Sequence, residues 1–189
     1  GITCSTGKTT TKELIAAILA QRGNVVKTEK NYNNEIGLPL TLFKISAATK
    51  AAVVEMGMRG KGQIAYLAEL ARPTIGVITN IGLTHLELLG SQEAIAEAKG
   101  ELIQALPPSG VAVLNGDDPL VVRTGRDFPG QPLFYRLSSG KDDSGPLPDL
   151  FAVAITATGE REEVTVDGRW GKFDFSLPLL GRHNVANAL

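Results

Sequence analysis

Short apolar runs alternate with longer stretches of helical periodicity along residues 1–137, and this alternation limits the possible folds more than any other feature of the chain. Lys8 to Arg22 carries Leu14, Ile15, Ile18 and Leu19 at helical spacing and stops at Gly23. Ala51 to Met56 is a short, largely apolar run that takes in Glu55 and reads as a buried strand. Gly62 to Ala71 reads as a helix closed by Arg72-Pro73, and Thr74 to Thr79 as a second buried strand. Gln92 to Leu106 is a helix ended by Pro107-Pro108; Val111 to Leu114 is again strand-like, with a short helix after Asp118-Pro119. Strands separated by helices predict an α/β fold, a mostly parallel sheet with helices on both faces.

The pattern changes after about residue 137. Ser138 to Pro148 is rich in Ser, Gly, Asp and Pro and reads as a loop. Phe151 to Thr158, Glu163 to Asp167 and Trp170 to Leu177 alternate like strands, with turns at Thr158-Gly159 and Asp167-Gly168. The expected organisation is an α/β core over 1–137 with a small antiparallel sheet over 150–178 added to it.

With 43% apolar residues in 189, the chain can bury a sizeable core within one domain. Its 19 basic and 20 acidic residues nearly cancel, which removes any global electrostatic case for nucleic acid or an anionic membrane. Cys4 is the single cysteine, so no internal disulfide can form, and a reducing compartment fits. No signal-peptide pattern and no apolar stretch long enough for a bilayer is present. Residue 1 falls inside a strand-to-loop motif and residue 189 inside a helical pattern, so the chain is expected to be a segment of a longer protein.

The opening Ser5-Thr6-Gly7-Lys8-Thr9-Thr10 leads into a helix. Backbone N–H groups at such a start can cradle phosphates, with the lysine on the β- and γ-phosphates and the hydroxyl of Thr9 on Mg²⁺. The general phosphate-loop pattern asks for a glycine where Ile2 stands, and Gly1 is one residue too early. An ordinary helix start is the competing reading, and for Thr10 and Thr11 it is the preferred one. In the helix from Gln92, a projection at about 100° per residue puts Lys99 inside the arc of Ile95, Ala98, Leu102, Ile103 and Leu106, opposite Glu93, Glu97, Glu101 and Gln104. A lysine there must be paired, modified, or long enough to reach water from its packed stem. Glu55 closes one expected strand and His85 follows the next, where ligands gather in open α/β sheets; each also reads as an ordinary strand-end or loop residue. Asn80, the run Asn31-Tyr32-Asn33-Asn34-Glu35-Ile36-Gly37, and Asn115-Gly116-Asp117-Asp118-Pro119 serve equally as ligand-binding loops or as turns and helix caps.

Taken in order, these pieces resemble the central domain of the Mur ligase family. The resemblance rests on the opening loop, on Glu55-Met56-Gly57-Met58-Arg59-Gly60, and on Thr79-Asn80-Ile81-Gly82 leading to His85. It continues through Ala98-Lys99-Gly100-Glu101 and Leu114-Asn115-Gly116-Asp117-Asp118 to Gly181-Arg182-His183-Asn184-Val185-Ala186-Asn187-Ala188-Leu189. It implies a cytoplasmic ATP-dependent amide ligase of cell-wall precursor synthesis that works through an acyl phosphate. Asn33 to Leu42 and Glu55 to Gly60 are most similar to members that join D-alanyl-D-alanine to a UDP-muramoyl tripeptide. The resemblance further implies that Ser5, Thr6, Gly7, Lys8, Thr9 and Thr10 hold ATP, with Asn187 beside the adenine. Thr9 and Glu55 would hold one Mg²⁺, His85 a second, and Lys99 would be carbamylated by CO₂ into a metal ligand. Lys8, His85 and Lys99 would form the catalytic group, and Asn33, Asn34 and Glu35 would face the muramoyl peptide or the γ-phosphate. His183 and Asn184 match the closing motif but read equally as capping residues. Flanking domains of the same chain would bring the other substrates, leaving these residues alone inactive. Cys4 departs from the family, in which glycine is usual; the change is harmless if the local φ is negative, and otherwise would weaken ATP binding or make it sensitive to oxidation. The rivals are a sister ligase for another amino acid or for folate, a P-loop kinase or GTPase (although no Asn-Lys-x-Asp signature is present), and a non-catalytic nucleotide-binding module.

Overall fold

The computed structural model describes residues 1–84, 86–138 and 145–189. In chain order the elements are β1 (Ile2–Thr3), α1 (Lys8–Ala20), β2 (Asn24–Lys27), α2 (Gly37–Leu42), β3 (Thr49–Val53), α3 (Gln63–Ala71), β4 (Ile75–Ile78) and α4 (Leu86–Leu89). They continue with α5 (Gln92–Gln104), β5 (Val111–Asn115), α6 (Pro119–Thr124), β6 (Gln131–Arg136), β7 (Leu150–Thr158), β8 (Arg161–Gly168), β9 (Phe173–Leu177) and α7 (Arg182–Ala188).

Seven strands form one sheet in the order β1-β4-β5-β6-β7-β8-β9, and β2 pairs with β3. The two sheets are stitched together just beyond β3. Ile2 N–H donates to the Val54 carbonyl at 2.9 Å and Met56 N–H to the Ile2 carbonyl at 2.8 Å. Pairing is parallel for β1-β4, β2-β3, β4-β5, β5-β6 and β6-β7 and antiparallel for β7-β8 and β8-β9. The expected α/β architecture is therefore present. The antiparallel strands do not form a separate sheet: β7 adds to β6 through Tyr135–Leu150 and Arg136–Phe151, so the same sheet simply changes direction.

The pleat explains the two-sided cover. Successive strand residues point to opposite faces. In β4, Val77 packs with Ile2, Ala16 and Val53 on the α1 side, whereas Ile78 packs with Ile64, Leu102 and Ile103 on the side of α3 and α5. A third cluster joins Ala152, Val164, Val166 and Leu177 of the antiparallel end to Val185 of α7 and Leu14 of α1. That cluster seats α7 beside the start of α1, which matters for the site.

Several boundaries differ from expectation. The helix from Lys8 ends at Ala20, and the strand expected over 51–56 runs as Thr49–Val53, with Glu55 in an isolated bridge to Ile2. The turn expected at Asp167-Gly168 falls later: Gly168 stays in β8 opposite Leu150, and the chain reverses around Arg169–Gly171. A Cβ at Gly168 would come within 2.1 Å of the Asp149 carbonyl oxygen, so glycine there permits close strand approach. Trp170 consequently lies in that turn, with the Arg169 guanidinium 5.3 Å from its ring centroid. Of the loop expected over 138–148, residues 139–144 lie outside the described residues.

Candidate nucleotide and metal site

The phosphate loop is shaped by its own helix and by the segment after β4. Gly7 caps α1 at φ 90°, a left-handed conformation that favours glycine. The first helical bond runs from Thr11 N–H to the Gly7 carbonyl, which leaves the N–H groups of Lys8, Thr9 and Thr10 without an intrahelical acceptor. Such a helix start attracts anions. The Lys8 ammonium donates to the Cys4 carbonyl at 2.7 Å and the Ser5 carbonyl at 3.4 Å, so it is held over its own loop. Asn80 clamps the other side. Its Oδ1 accepts from Thr6 N–H at 3.0 Å, its Nδ2 donates to the Thr6 carbonyl at 2.7 Å, and its own carbonyl accepts from Ser5 N–H at 3.1 Å. Ser5 Oγ accepts from Gly82 N–H at 2.8 Å. Asn80 and Ser5 thus brace the loop.

Cys4 fits here without strain. Among the described residues only Lys30 and Arg72 are non-glycine positions with positive φ, so Cys4 does not occupy a conformation that needs glycine. Its side chain is fully buried, and burial pushes the thiol pKa up, against a Thr79 hydrogen bond and the Lys8 charge.

Glu55 is the hub of the acidic side. It is 2% exposed, and its backbone N–H donates to Thr28 Oγ1 at 2.9 Å. One carboxylate oxygen accepts from Thr9 Oγ1 at 3.0 Å, the other from Asn33 Nδ2 at 2.7 Å. Lys12, itself 1% exposed, reaches Glu55 at 3.9 Å and Glu13 at 3.2 Å. A threonine hydroxyl that gives its proton to a carboxylate keeps its lone pairs, so Thr9 and Glu55 together are a hard-oxygen pair of the kind Mg²⁺ takes. Among the described residues no group of three or more His, Cys, Asp or Glu gathers for a metal, so such an ion would need ligands from phosphate, water or a modified side chain. His85 lies outside the described residues.

Lys99 is 2% exposed, on the apolar face of α5 with Ile95, Ala98, Leu102 and Ile103, as the projection predicted. Among the described residues its ammonium has no hydrogen bond or ion pair. Burial lowers its pKa to about 8, with the Lys8 charge adding to the effect and Cys4 opposing it. The end of the Lys99 side chain opens on a cavity of about 650 Å³ that is also lined by Lys8, Asn33, Asn34, Glu35 and Arg59. The structure therefore brings Lys8, Lys99 and the Asn33–Glu35 loop together around one space. Within that loop Asn34 has a local task as well, since its Oδ1 accepts from the N–H groups of Ile36 and Gly37.

Asn187 arrives from the far end of the chain. A Cβ at Gly7 would meet its amide oxygen at 2.6 Å, so the Asn187 side chain lies on the phosphate loop itself. Asn184 acts structurally, donating to the Leu180 carbonyl at 2.8 Å. Asp118 caps α6 through Leu120 and Val121 N–H and accepts from Ile81 N–H at 2.8 Å. Lys12, Thr28 and Arg59 were missed as site residues; projecting α1 as α5 was projected would have put Lys12 on the face of Ala16.

Residues 2–189 match the family described as the Mur ligase middle domain. The chain belongs to that family. It is 48% identical over its full length to the UDP-N-acetylmuramoyl-tripeptide–D-alanyl-D-alanine ligase of Synechocystis, covering 38% of that protein. It is 41% identical to the Bacillus subtilis ligase of the same name, covering 39% of it. The chain thus spans about two fifths of the length of these relatives. Among solved structures, MurF from Acinetobacter baumannii superposes with a TM-score of 0.87 at 30% identity, over 98% of this chain and 39% of that one. MurF from Thermotoga maritima in complex with ADP gives 0.80 at 28% identity, over 100% and 43%. No helix among the described residues of this middle domain is long and apolar enough to cross a membrane.

Proposed function

We propose that residues 1–189 are the ATP- and Mg²⁺-binding middle portion of a cytoplasmic ligase that joins D-alanyl-D-alanine to a UDP-N-acetylmuramoyl tripeptide. The observation that carries this reading is the cavity onto which the phosphate-loop Lys8, the Asn33–Glu35 loop and the buried Lys99 all open. The names of the relatives supply the substrates, and flanking regions of the same chain would grip them.

The tripeptide carboxylate oxygen attacks the γ-phosphorus, the bond to the bridging oxygen breaks, and ADP leaves with that electron pair. The amine of D-alanyl-D-alanine then attacks the acyl carbon, phosphate departs and the amine loses a proton. The chain's contribution is positioning and charge. The N–H groups of Lys8, Thr9 and Thr10 and the Lys8 ammonium take the phosphates, and Asn80 and Ser5 keep the loop in shape. Asn187, lying on Gly7, borders the nucleotide. Mg²⁺ bound at Thr9 and Glu55 would supply neutralising charge to the β- and γ-phosphates. Lys99 in its neutral form adds CO₂, releases a proton and becomes a carbamate, an anionic oxygen ligand set where an unpaired cation would be costly. The second metal site assigned to His85 rests on the sequence resemblance.

The test is phosphate release by the full-length protein with ATP, UDP-muramoyl tripeptide and D-alanyl-D-alanine. Release that needs both co-substrates, with the amide product seen by mass spectrometry, is expected. Turnover only with a different amino acid would assign the protein to a sister ligase, and release without any acceptor would overturn the ligase reading.

A further inference from the structure

The stretch Met58-Arg59-Gly60-Lys61-Gly62 follows Glu55 closely but has no task in the reaction as described so far. It forms part of the cavity wall: Arg59, Gly62 and Gln63 line the space, followed along α3 by Tyr66 and Leu67. This wall is tied to the helix that carries Lys99. Glu101 of α5 accepts from Gly62 N–H at 2.6 Å through one oxygen and from Ala65 N–H at 3.0 Å through the other, so it caps the start of α3 from a neighbouring helix. Lys61 pairs with Glu97, also of α5, at 2.5 Å. Gln63 Oε1 accepts from Arg59 N–H at 2.6 Å, which fixes the backbone at Arg59 itself.

The charges divide unevenly. Lys61 is consumed by Glu97, whereas Arg59 lines the cavity and its guanidinium has no ion pair among the described residues. Charged residues on the cavity lining are Lys8, Arg59 and Lys99 against Glu35. Lys8 belongs to the phosphate loop and Lys99 is buried, so Arg59 is the exposed cation left for a second anionic group. A guanidinium engages a carboxylate through a two-pronged fork, a planar recognition that a lysine cannot reproduce.

We propose that Arg59 binds a carboxylate of the acceptor peptide, and that Glu101 is the positioning residue that sets the Arg59 loop at a fixed distance from Lys99. The assignment rests on the ligase reading above and names within it a contact that neither the phosphate loop nor the metal pair supplies. Arg59 holds the acceptor in place while ATP is held from the other element, so its removal weakens acceptor binding more than it slows the chemistry.

The experiment is steady-state kinetics of the full-length protein with ATP, UDP-muramoyl tripeptide and D-alanyl-D-alanine, comparing wild type with Arg59→Gln, Arg59→Lys and Glu101→Ala. Arg59→Gln should raise KM for the tripeptide substrate by about tenfold or more, the loss of one charge-assisted contact, while KM for ATP stays within about threefold. Arg59→Lys should fall between wild type and Arg59→Gln. Glu101→Ala should raise the same KM in the same direction with the ATP value unmoved, a selective change that general loosening of the fold would not produce. An unchanged tripeptide KM in Arg59→Gln overturns the proposal. A rise confined to the ATP KM also overturns it and moves Arg59 to the nucleotide. Absence of wild-type turnover with these substrates would instead bring down the ligase reading, and this assignment with it.

Discussion

Lys99 sets the sharpest energetic test. Its side chain is 2% exposed, its ammonium has no partner among the described residues, and burial lowers its pKa from 10.5 to about 8. Each pKa unit corresponds to about 1.4 kcal/mol, so the charged form costs the folded state about 3 kcal/mol relative to the unfolded chain. Because the folded pKa is the lower one, the unfolded state binds more protons between pH 8 and 10.5. The penalty is therefore constant below about pH 8, shrinks as pH rises and is gone above 10.5. Lys99→Met keeps an unbranched apolar stem and removes the charge. In CO₂-free buffer at pH 7, residues 1–189 carrying Lys99→Met should be more stable than wild type by about 3 kcal/mol in urea unfolding. That gap should close as the pH is raised toward 10.5. Taking the difference between the two proteins cancels the other groups that titrate in this range. A variant less stable than wild type, or a gap that ignores pH, would show that the ammonium is solvated and refute the reasoning.

Other outcomes follow from the same geometry. With ¹³C-bicarbonate near pH 8, wild type should show a carbamate carbon signal that Lys99→Met lacks. Lys8→Ala should weaken binding of an ATP analogue with Mg²⁺ at least about tenfold by calorimetry, since a charged contact to phosphate is lost. Asn80→Ala removes the clamp on Thr6 and should cost about 1–3 kcal/mol in urea unfolding. Leu102→Ala opens a void in a fully buried position and should cost about 2–5 kcal/mol in the same measurement.

The parts of the fold that were legible in the sequence are those in which one periodicity runs long enough to dominate. Helix α5 announced itself through its apolar arc and its terminal prolines, and Lys99 was visible because it broke that arc. Short or punctuated elements escaped. Strand β6 begins Gln131-Pro132, and proline reads as a breaker; it is tolerated because Ala112 pairs with it on one side while β7 joins only at Tyr135 and Arg136. Helix α2, Gly37–Leu42, opens on a glycine and contains Pro39, so both local signals argued for a turn. Strand β2 is a mostly half-exposed Asn-Val-Val-Lys run stabilised by pairing with β3, which no local pattern encodes. Within the site, Lys8, Thr9, Glu55 and Lys99 stood out by motif or misplacement. Arg59 did not, because its meaning depends on Glu101 and Gln63 holding a loop that sequence spacing alone cannot bring beside Lys99.

The most direct test of the account is a crystal structure of the full-length protein with an ATP analogue and Mg²⁺. The phosphates should sit on the N–H groups of Lys8 to Thr10, with a metal ion about 2.1 Å from Thr9 Oγ1 and density for a carbamate on Lys99 facing the same cavity. Nucleotide bound elsewhere, or on the loop with no metal near Thr9 and Glu55, would contradict it.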